Sequence, residues 1–200
     1  MFMNEGVLWL VCIVGGFCMG SIMFGRIIPK VFFNMDICAV SDDHNPGTAN
    51  VFINCGVGWG LLCLVLDMLK GALPVWLAYN FLPVDSPMFA LVMAAPVLGH
   101  AVAPFAHFHG GKCIATAFGV VLGLVPITQV GWLLVVLFIF FSTVVKINPN
   151  RIRSMVTFVL FGIGSTVWLV MHSQFSVAMG CALISLIAVA KHTKRFAAEN

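Results

Sequence analysis

Charge is what this chain has least of. Lysine, arginine, aspartate and glutamate make up 8% of its 200 residues, against 61% hydrophobic residues and a mean hydropathy of +1.07. A soluble domain of this length cannot bury so much apolar surface, so the composition excludes a water-soluble globular protein and implies an integral membrane protein. The ten Lys and Arg residues form no run or stripe and the net charge is only +3, so the footprint of a nucleic-acid partner is missing. Residues 1–6 lack a basic leader, and the apolar stretch behind them runs to about Phe24 without a convincing cleavage signal. It is therefore expected to be a retained helix and not a signal peptide. A disulfide framework is also missing: Cys12, Cys18, Cys55, Cys63 and Cys181 lie inside apolar runs, where a thiol behaves as a small hydrophobe. No soluble domain, internal repeat or low-complexity tail is visible, and one membrane domain is expected over 1–200.

What the chain does have is apolar length. A helix needs roughly 20 apolar residues to cross a bilayer. That ruler gives an all-α membrane protein of about seven transmembrane helices near 6–28, 53–80, 87–104, 113–126, 129–146, 154–171 and 174–191. The fourth and fifth come from one stretch, Cys113 to Val145, which is too long for a single crossing and is interrupted at Pro126, Thr128 and Gln129. The second carries Asp67 and Lys70 within it, and its start is a candidate interfacial segment. Seven crossings with an extracytoplasmic N-terminus and a cytoplasmic C-terminus put 29–52, 105–112, 147–153 and 192–200 in the cytoplasm. Nine of the ten basic residues then lie in or beside those segments, and the opposite loops at 81–86, 127–128 and 172–173 hold none. Three glycine pairs at four-residue spacing, Gly16 with Gly20, Gly56 with Gly60 and Gly119 with Gly123, predict close helix approach.

The polar chemistry collects in the cytoplasmic segments. "DICAVSDDHNPGTANVF", residues 36–52, contains an Asn-Pro turn and a glycine, with Thr48 and Asn50 placed to cap the next helix. It reads either as a capped polar loop or as an anion site built on turn N–H groups. Asp42, Asp43 and His44 are consecutive and seldom would converge on one ion, so no metal is expected, and no cofactor. "GHAVAPFAHFHGGKCIAT", residues 99–116, places Gly110, Gly111 and Lys112 at the start of an apolar helix. Two glycines that let the backbone come near a ligand and adopt conformations closed to other residues, a helix N-terminus and a lysine suit a phosphate, while a plain turn with a cytoplasmic lysine is the simpler alternative. In "LDMLKGALP", Asp67 and Lys70 share a helix face, as a structural ion pair or as a pair supporting a substrate pocket. The basic residues of "NRIRSM" and the terminal "KHTKRFAAEN" either meet anionic lipid or close the rim of an anion site.

With these motifs in view, the sequence resembles the membrane-integral bacterial glycerol-3-phosphate acyltransferases that take their acyl group from an acyl phosphate. Gly99-His100, Pro104-Phe105, Phe108, Gly110-Gly111-Lys112 and Ala115-Thr116 fit that family's motif G-H-x(3)-P-F-x(2)-F-x-G-G-K-x(2)-A-T. Gly20-Ser21 resembles its glycine-serine turn in the first helix, Asn45, Gly47, Asn50 and Val51 its N-x-G-x-T-N-V motif, Asp67, Lys70 and Gly71 its D-x-x-K-G segment, and Arg151 with Ser154 its basic-then-serine motif. The departures are Met23 for proline, Cys38 for arginine, Asp43-His44 for Ser-Gly and Cys113 for glycine. Val189 and His192 stand where, in register with Arg195, the family has histidine and asparagine.

The resemblance implies acyl transfer from acyl phosphate to the 1-hydroxyl of sn-glycerol 3-phosphate at the bacterial cytoplasmic membrane. The products are lysophosphatidate and phosphate, and the acyl phosphate comes from a soluble phosphate acyltransferase. Besides the two substrates, only membrane lipids are expected as partners. Ser21, Asn45, Gly47, Asn50, Asp67, Lys70, His100, Gly110, Gly111, Lys112 and Thr116 are implied as substrate or phosphate contacts, and Ser154, His192 and Arg195 as the catalytic candidates. No histidine–carboxylate pair offers itself as a general base, and a substrate phosphate, with a second pKa of about 6, is a natural acceptor for the hydroxyl proton. A transporter or a catalytically silent protein of the same fold is the rival, and a cavity reaching both membrane faces would favour transport.

Overall fold

The first apolar run breaks at Ser21. In the computed structural model, which describes residues 4–196 and side chains through Thr193, α1 (Glu5–Gly20) ends where the Ser21 hydroxyl donates back to the carbonyl of Phe17 at 2.8 Å. A hydroxyl that returns to a carbonyl four residues earlier competes with the main-chain ladder and bends helices. After three residues α2 (Phe24–Phe33) sets off at 42° to α1, so the span expected over 6–28 is a bent pair.

A single turn, α3 (Ile37–Val40), is capped by Asp36, which accepts from the Cys38 amide at 3.0 Å. Then α4 (Thr48–Cys55) and α5 (Val57–Phe81) meet at Gly56, whose φ of 89° is a conformation L side chains rarely adopt. The second span therefore starts at Val57, and the first residues assigned to it from sequence belong to α4. Neither Thr48 nor Asn50 caps α4: Gly47 is its N-cap, and both side chains are engaged elsewhere.

The chain continues through α6 (Met88–Val102), a 3-10 turn (Pro104–Ala106), α7 (Ile114–Gly123), α8 (Gly131–Thr143), α9 (Asn150–Met171) and α10 (Phe175–Phe196). Among the described residues, four helices are long and apolar enough to cross a membrane: α5, α6 with its following turn, α9 and α10. The bent α1–α2 pair makes a fifth if counted as one span. At 1.5 Å per residue α7 and α8 measure about 15 and about 20 Å, short of the roughly 30 Å hydrocarbon core. The described residues contain no strand.

Close approach replaces hydrophobic bulk where helices cross. A Cβ at Gly119 would overlap the carbonyl of Met68, and one at Gly123 would lie 2.7 Å from the carbonyl of Ala72, so these two glycines seat α7 on α5. Gly20 does the same for α1 on α6, against the carbonyl of Pro96. The third pair differs from expectation. Gly60 faces the ring of Phe52, while Gly56 has no neighbour within 4 Å and serves the corner instead. Between the helices, Phe89, Met93, Val97, Phe158, Phe161, Cys181 and Ile184 form a fully buried core. Large side chains such as Leu10, Ile139, Met171 and Leu186 point outward, as a lipid-facing surface requires. All seven cysteines are free thiols.

Candidate functional site

The polar motifs meet at one end of the bundle, around a cavity of about 990 Å³. It is framed by the loop before α4, α4 itself, the middle of α5, the end of α6, the starts of α7 and α9, Phe138 of α8 and the end of α10. A smaller recess of about 380 Å³ along α9, from Arg151 to Leu160, collects none of the motif side chains except Arg151.

Its polar wall starts with the loop 41–47. Asp43 is the centre of this wall: one carboxylate oxygen accepts from the Asn50 amide at 2.7 Å and from the Asn45 main-chain N–H at 3.2 Å, and the other meets the Lys112 ammonium at 2.5 Å. Partial burial opposes ionisation of Asp43. The Lys112 hydrogen bond and charge, with the Asn50 and Asn45 bonds, outweigh it and hold the carboxyl below its ordinary value. Asn50 also donates to the Asn45 carbonyl at 2.7 Å. Asn45 is buried, and its side-chain oxygen has no hydrogen-bond partner. Gly47 has an ordinary negative φ, but a Cβ there would strike the Asn45 amide.

The wall from α6 and α7 is built differently from expectation. Gly110 and Gly111 both have negative φ, and the left-handed residues of this loop are Ala103, His107, Phe108 and Cys113. The two glycines are required by contact: a Cβ at Gly110 would overlap the carbonyls of His100 and Ala101, and one at Gly111 would overlap the His100 ring. The Gly111 amide donates to the His100 carbonyl at 3.1 Å. They press the loop onto the end of α6 and so set Lys112 at the cavity, and neither glycine lines it. His100 does line it, with Nδ1 3.2 Å from the Thr116 hydroxyl, which is itself fully buried behind the lining.

On α5, Asp67 lines the cavity and Lys70 does not. Their ion pair is 2.8 Å long with both side chains at most 2% exposed. Lys70 also donates to the Ile22 carbonyl at 2.5 Å, a main-chain group in the α1–α2 break. Thr48 completes the bridge from α4 by donating to Asp67 at 3.1 Å. Ser21 is fully buried on its Phe17 bond and lies outside the lining.

From α9 and α10 come Ser154, whose hydroxyl donates to the Asn150 carbonyl at 2.9 Å, and His192, whose Nδ1 lies 2.7 Å from the Ala188 carbonyl. Arg195 falls within α10, but its side chain lies outside the described residues. Arg151 and Arg153 join the rim, and Arg153 stacks over the Phe138 ring with 5.3 Å to its centroid. The apolar side chains of Ile53, Leu64, Met68, Phe118 and Phe138 line the same cavity. Phe118 and Phe138 carry no signal in the sequence, Asp43 stood out there only as one of three consecutive metal-ligand types, and Arg153 lies where the reading of "NRIRSM" as the rim of an anion site puts it. Among the described residues no group of three His, Cys, Asp or Glu side chains is placed to hold a metal ion.

Comparison with known proteins gives a single answer. The sequence pattern of the glycerol-3-phosphate acyltransferase family matches residues 10–198. A glycerol-3-phosphate acyltransferase of Desulfovibrio desulfuricans is 40% identical over 119 residues, 59% of this chain, and the match spans about half (51%) of that protein's length. One of Hydrogenobaculum sp. is 32% identical over 181 residues, 90% of this chain and 87% of the relative. The fold is similar to crystal structures of PlsY (YgiH), an integral membrane glycerol 3-phosphate acyltransferase. In its glycerol 3-phosphate form the TM-score is 0.80 at 26% identity, covering 94% of this chain and 90% of the other, and a lysophosphatidic acid form superposes at 0.77. This multi-pass membrane chain belongs to the membrane-integral glycerol-3-phosphate acyltransferase family.

Proposed function

We propose that the protein transfers an acyl group from an acyl phosphate to the 1-hydroxyl of sn-glycerol 3-phosphate, forming lysophosphatidate and inorganic phosphate. The observation that carries this reading is one cavity with two chemistries. Lys112, Arg153, Asn45 and Asn50 in its lining suit phosphate groups, and Ile53, Leu64, Met68, Phe118 and Phe138 suit a hydrocarbon chain. Relatives named glycerol-3-phosphate acyltransferase, and crystal forms of a similar protein with glycerol 3-phosphate and lysophosphatidic acid, support acyl transfer to glycerol 3-phosphate.

In this reading Lys112 and Arg153 neutralise the phosphates while Asn45 and Asn50 orient them, and Asp67, Lys70 and Thr48 hold α4, α5 and the α1–α2 break in register. Ser21, His100, Gly110, Gly111 and Thr116 support this wall from behind or beside it. Ser154 and His192 face the cavity, and Arg195 follows one turn later on α10. The glycerol 1-oxygen attacks the acyl carbonyl carbon, the bond from that carbon to the phosphate oxygen breaks, and phosphate departs with the proton given up by the hydroxyl. An acyl phosphate is already activated, so positioning and charge stabilisation are the protein's main tasks. The site draws its polar lining from one end of the bundle, which favours an enzyme over a transporter.

The whole chain acts as one membrane domain of seven crossings, counting α7 and α8 as short ones, with an extracytoplasmic N-terminus and a cytoplasmic C-terminus in a bacterial inner membrane. Nine of ten basic residues favour that orientation. A soluble phosphate acyltransferase supplies the acyl phosphate. The test is phosphate release from palmitoyl phosphate and glycerol 3-phosphate by purified protein in a lipid mesophase. Turnover is expected, with Lys112→Ala losing about 100-fold or more; an inactive wild-type protein, or a fully active K112A, overturns the reading.

A further inference from the structure

Among the described residues, three donors meet on the Asp43 carboxylate: the Lys112 ammonium, the Asn50 side-chain amide from α4 and the main-chain N–H of Asn45 in the same loop, at 2.5, 2.7 and 3.2 Å. An ammonium, an amide and a main-chain N–H aimed at one pair of oxygens is the arrangement that binds an external anion. Lys112 and Asp43 are 69 residues apart in sequence, and their side chains are 20% and 36% exposed, so the pair stands at the cavity surface within reach of solutes. Asp43, Asn45, Asn50 and Lys112 all line the same cavity.

We infer that Asp43 is a built-in competitor for the substrate phosphate, a carboxylate that holds the anion-binding donors and has to release them before a phosphate can take its place. This rests on the reading of the cavity as a phosphate site. A phosphate monoester carries a charge of about −1.5 to −2 and three acceptor oxygens, enough to displace a singly charged, partly exposed carboxylate. Weaker single-charge anions, among them the phosphodiesters of the surrounding lipid, displace it poorly, so Lys112 stays available at a membrane face crowded with headgroups. The carboxylate thereby lowers the affinity for every anion, substrate and product phosphate included. A residue that merely braced the loop would have the opposite signature, because its loss would weaken binding.

The test is calorimetric titration of the full-length protein in neutral detergent with inorganic phosphate, which needs no turnover and so stays informative whether or not acyl transfer is observed. Asp43→Ser, which vacates the donors, is expected to bind phosphate at least tenfold more tightly than the wild type. Asp43→Asn, which keeps the side-chain volume and an acceptor oxygen without the charge, is expected to shift the same way and decides the matter if D43S does not fold. The gain must disappear in the D43N/K112A double variant. Phosphate affinity that is equal or weaker in D43N, or a gain that survives the loss of Lys112, overturns the inference.

Discussion

Replacing Lys70 by methionine removes a charge from the place where three helices are tied together. The substitution nearly preserves side-chain length, so the loss is electrostatic: the ammonium at 2.8 Å from Asp67 and 2.5 Å from the Ile22 carbonyl disappears, and both acceptors stay where they are. Asp67 and Lys70 are 1% and 2% exposed, so water cannot replace the lost partner. Removing one member of such a buried pair costs about 3–5 kcal/mol, because the other charge is left uncompensated. The donors from Thr48 and Cys63 remain on Asp67, at 3.1 and 3.8 Å, so the lower half of that range is expected. For a chain of this size that is a fall of about 6–16 °C in melting temperature. The chain carries its own reporter: Cys63, Cys113 and Cys181 are buried, so a thiol-reactive fluorophore in detergent lights up as they become exposed on heating. The Asp67→Asn/Lys70→Met double variant should be more stable than K70M alone, since it removes the stranded charge. A K70M protein that melts within about 1 °C of the wild type, or a double variant less stable than the single one, refutes the claim that this pair locks the α1–α2 break to α5.

Gly111→Ala is expected to cost more activity than stability, since its Cβ would overlap the His100 ring and displace Lys112 from the cavity; about tenfold or more in kcat/KM is expected, and an unchanged value would show that the close approach is irrelevant. Gly119→Ala drives a Cβ into the Met68 carbonyl, main chain that cannot turn aside, so α7 must lift from α5. A loss of about 1–3 kcal/mol is expected in the same thiol assay, whereas the open position of Gly58 should tolerate alanine without a clash. The Asp43 carboxyl titrates below its ordinary value, so the stability it contributes is present above the ordinary carboxylate range and is lost as pH falls through the lowered value. Melting curves of wild type and D43N should therefore converge on acidification; a gap that stays constant with pH contradicts the ion pair.

Much of this layout was legible because hydropathy reports burial in lipid directly. Each apolar run became a helix or a bent pair, and splitting the stretch from Cys113 to Val145 anticipated α7 and α8. The break at Ser21 was invisible to hydropathy, because Ile22 and Met23 are as apolar as the helix around them; only the Gly20-Ser21 resemblance marked it. The motif residues Asn45, Gly47, Asn50, Asp67, His100, Lys112, Ser154 and His192 line one cavity, whereas Ser21, Lys70, Gly110, Gly111 and Thr116 stand outside its lining. Spacing along a chain cannot separate these two groups, since a glycine that seats a loop and a glycine that admits a ligand look alike in sequence. Gly110 and Gly111 were expected to supply unusual backbone conformation and supply room instead, while Cys113, with φ 66°, takes the left-handed conformation at the residue where the family pattern has glycine. The partnership of Asp43 with Lys112 was out of reach for the same reason: nothing local connects residues 69 positions apart.

The most direct test of the account offers the purified wild-type protein equal concentrations of palmitoyl phosphate and palmitoyl-CoA, with isotope-labelled glycerol 3-phosphate as acceptor. Labelled 1-acyl-glycerol 3-phosphate is expected, formed one for one with inorganic phosphate and without free CoA thiol. Product formed with release of CoA, or no labelled product from either donor, would contradict it.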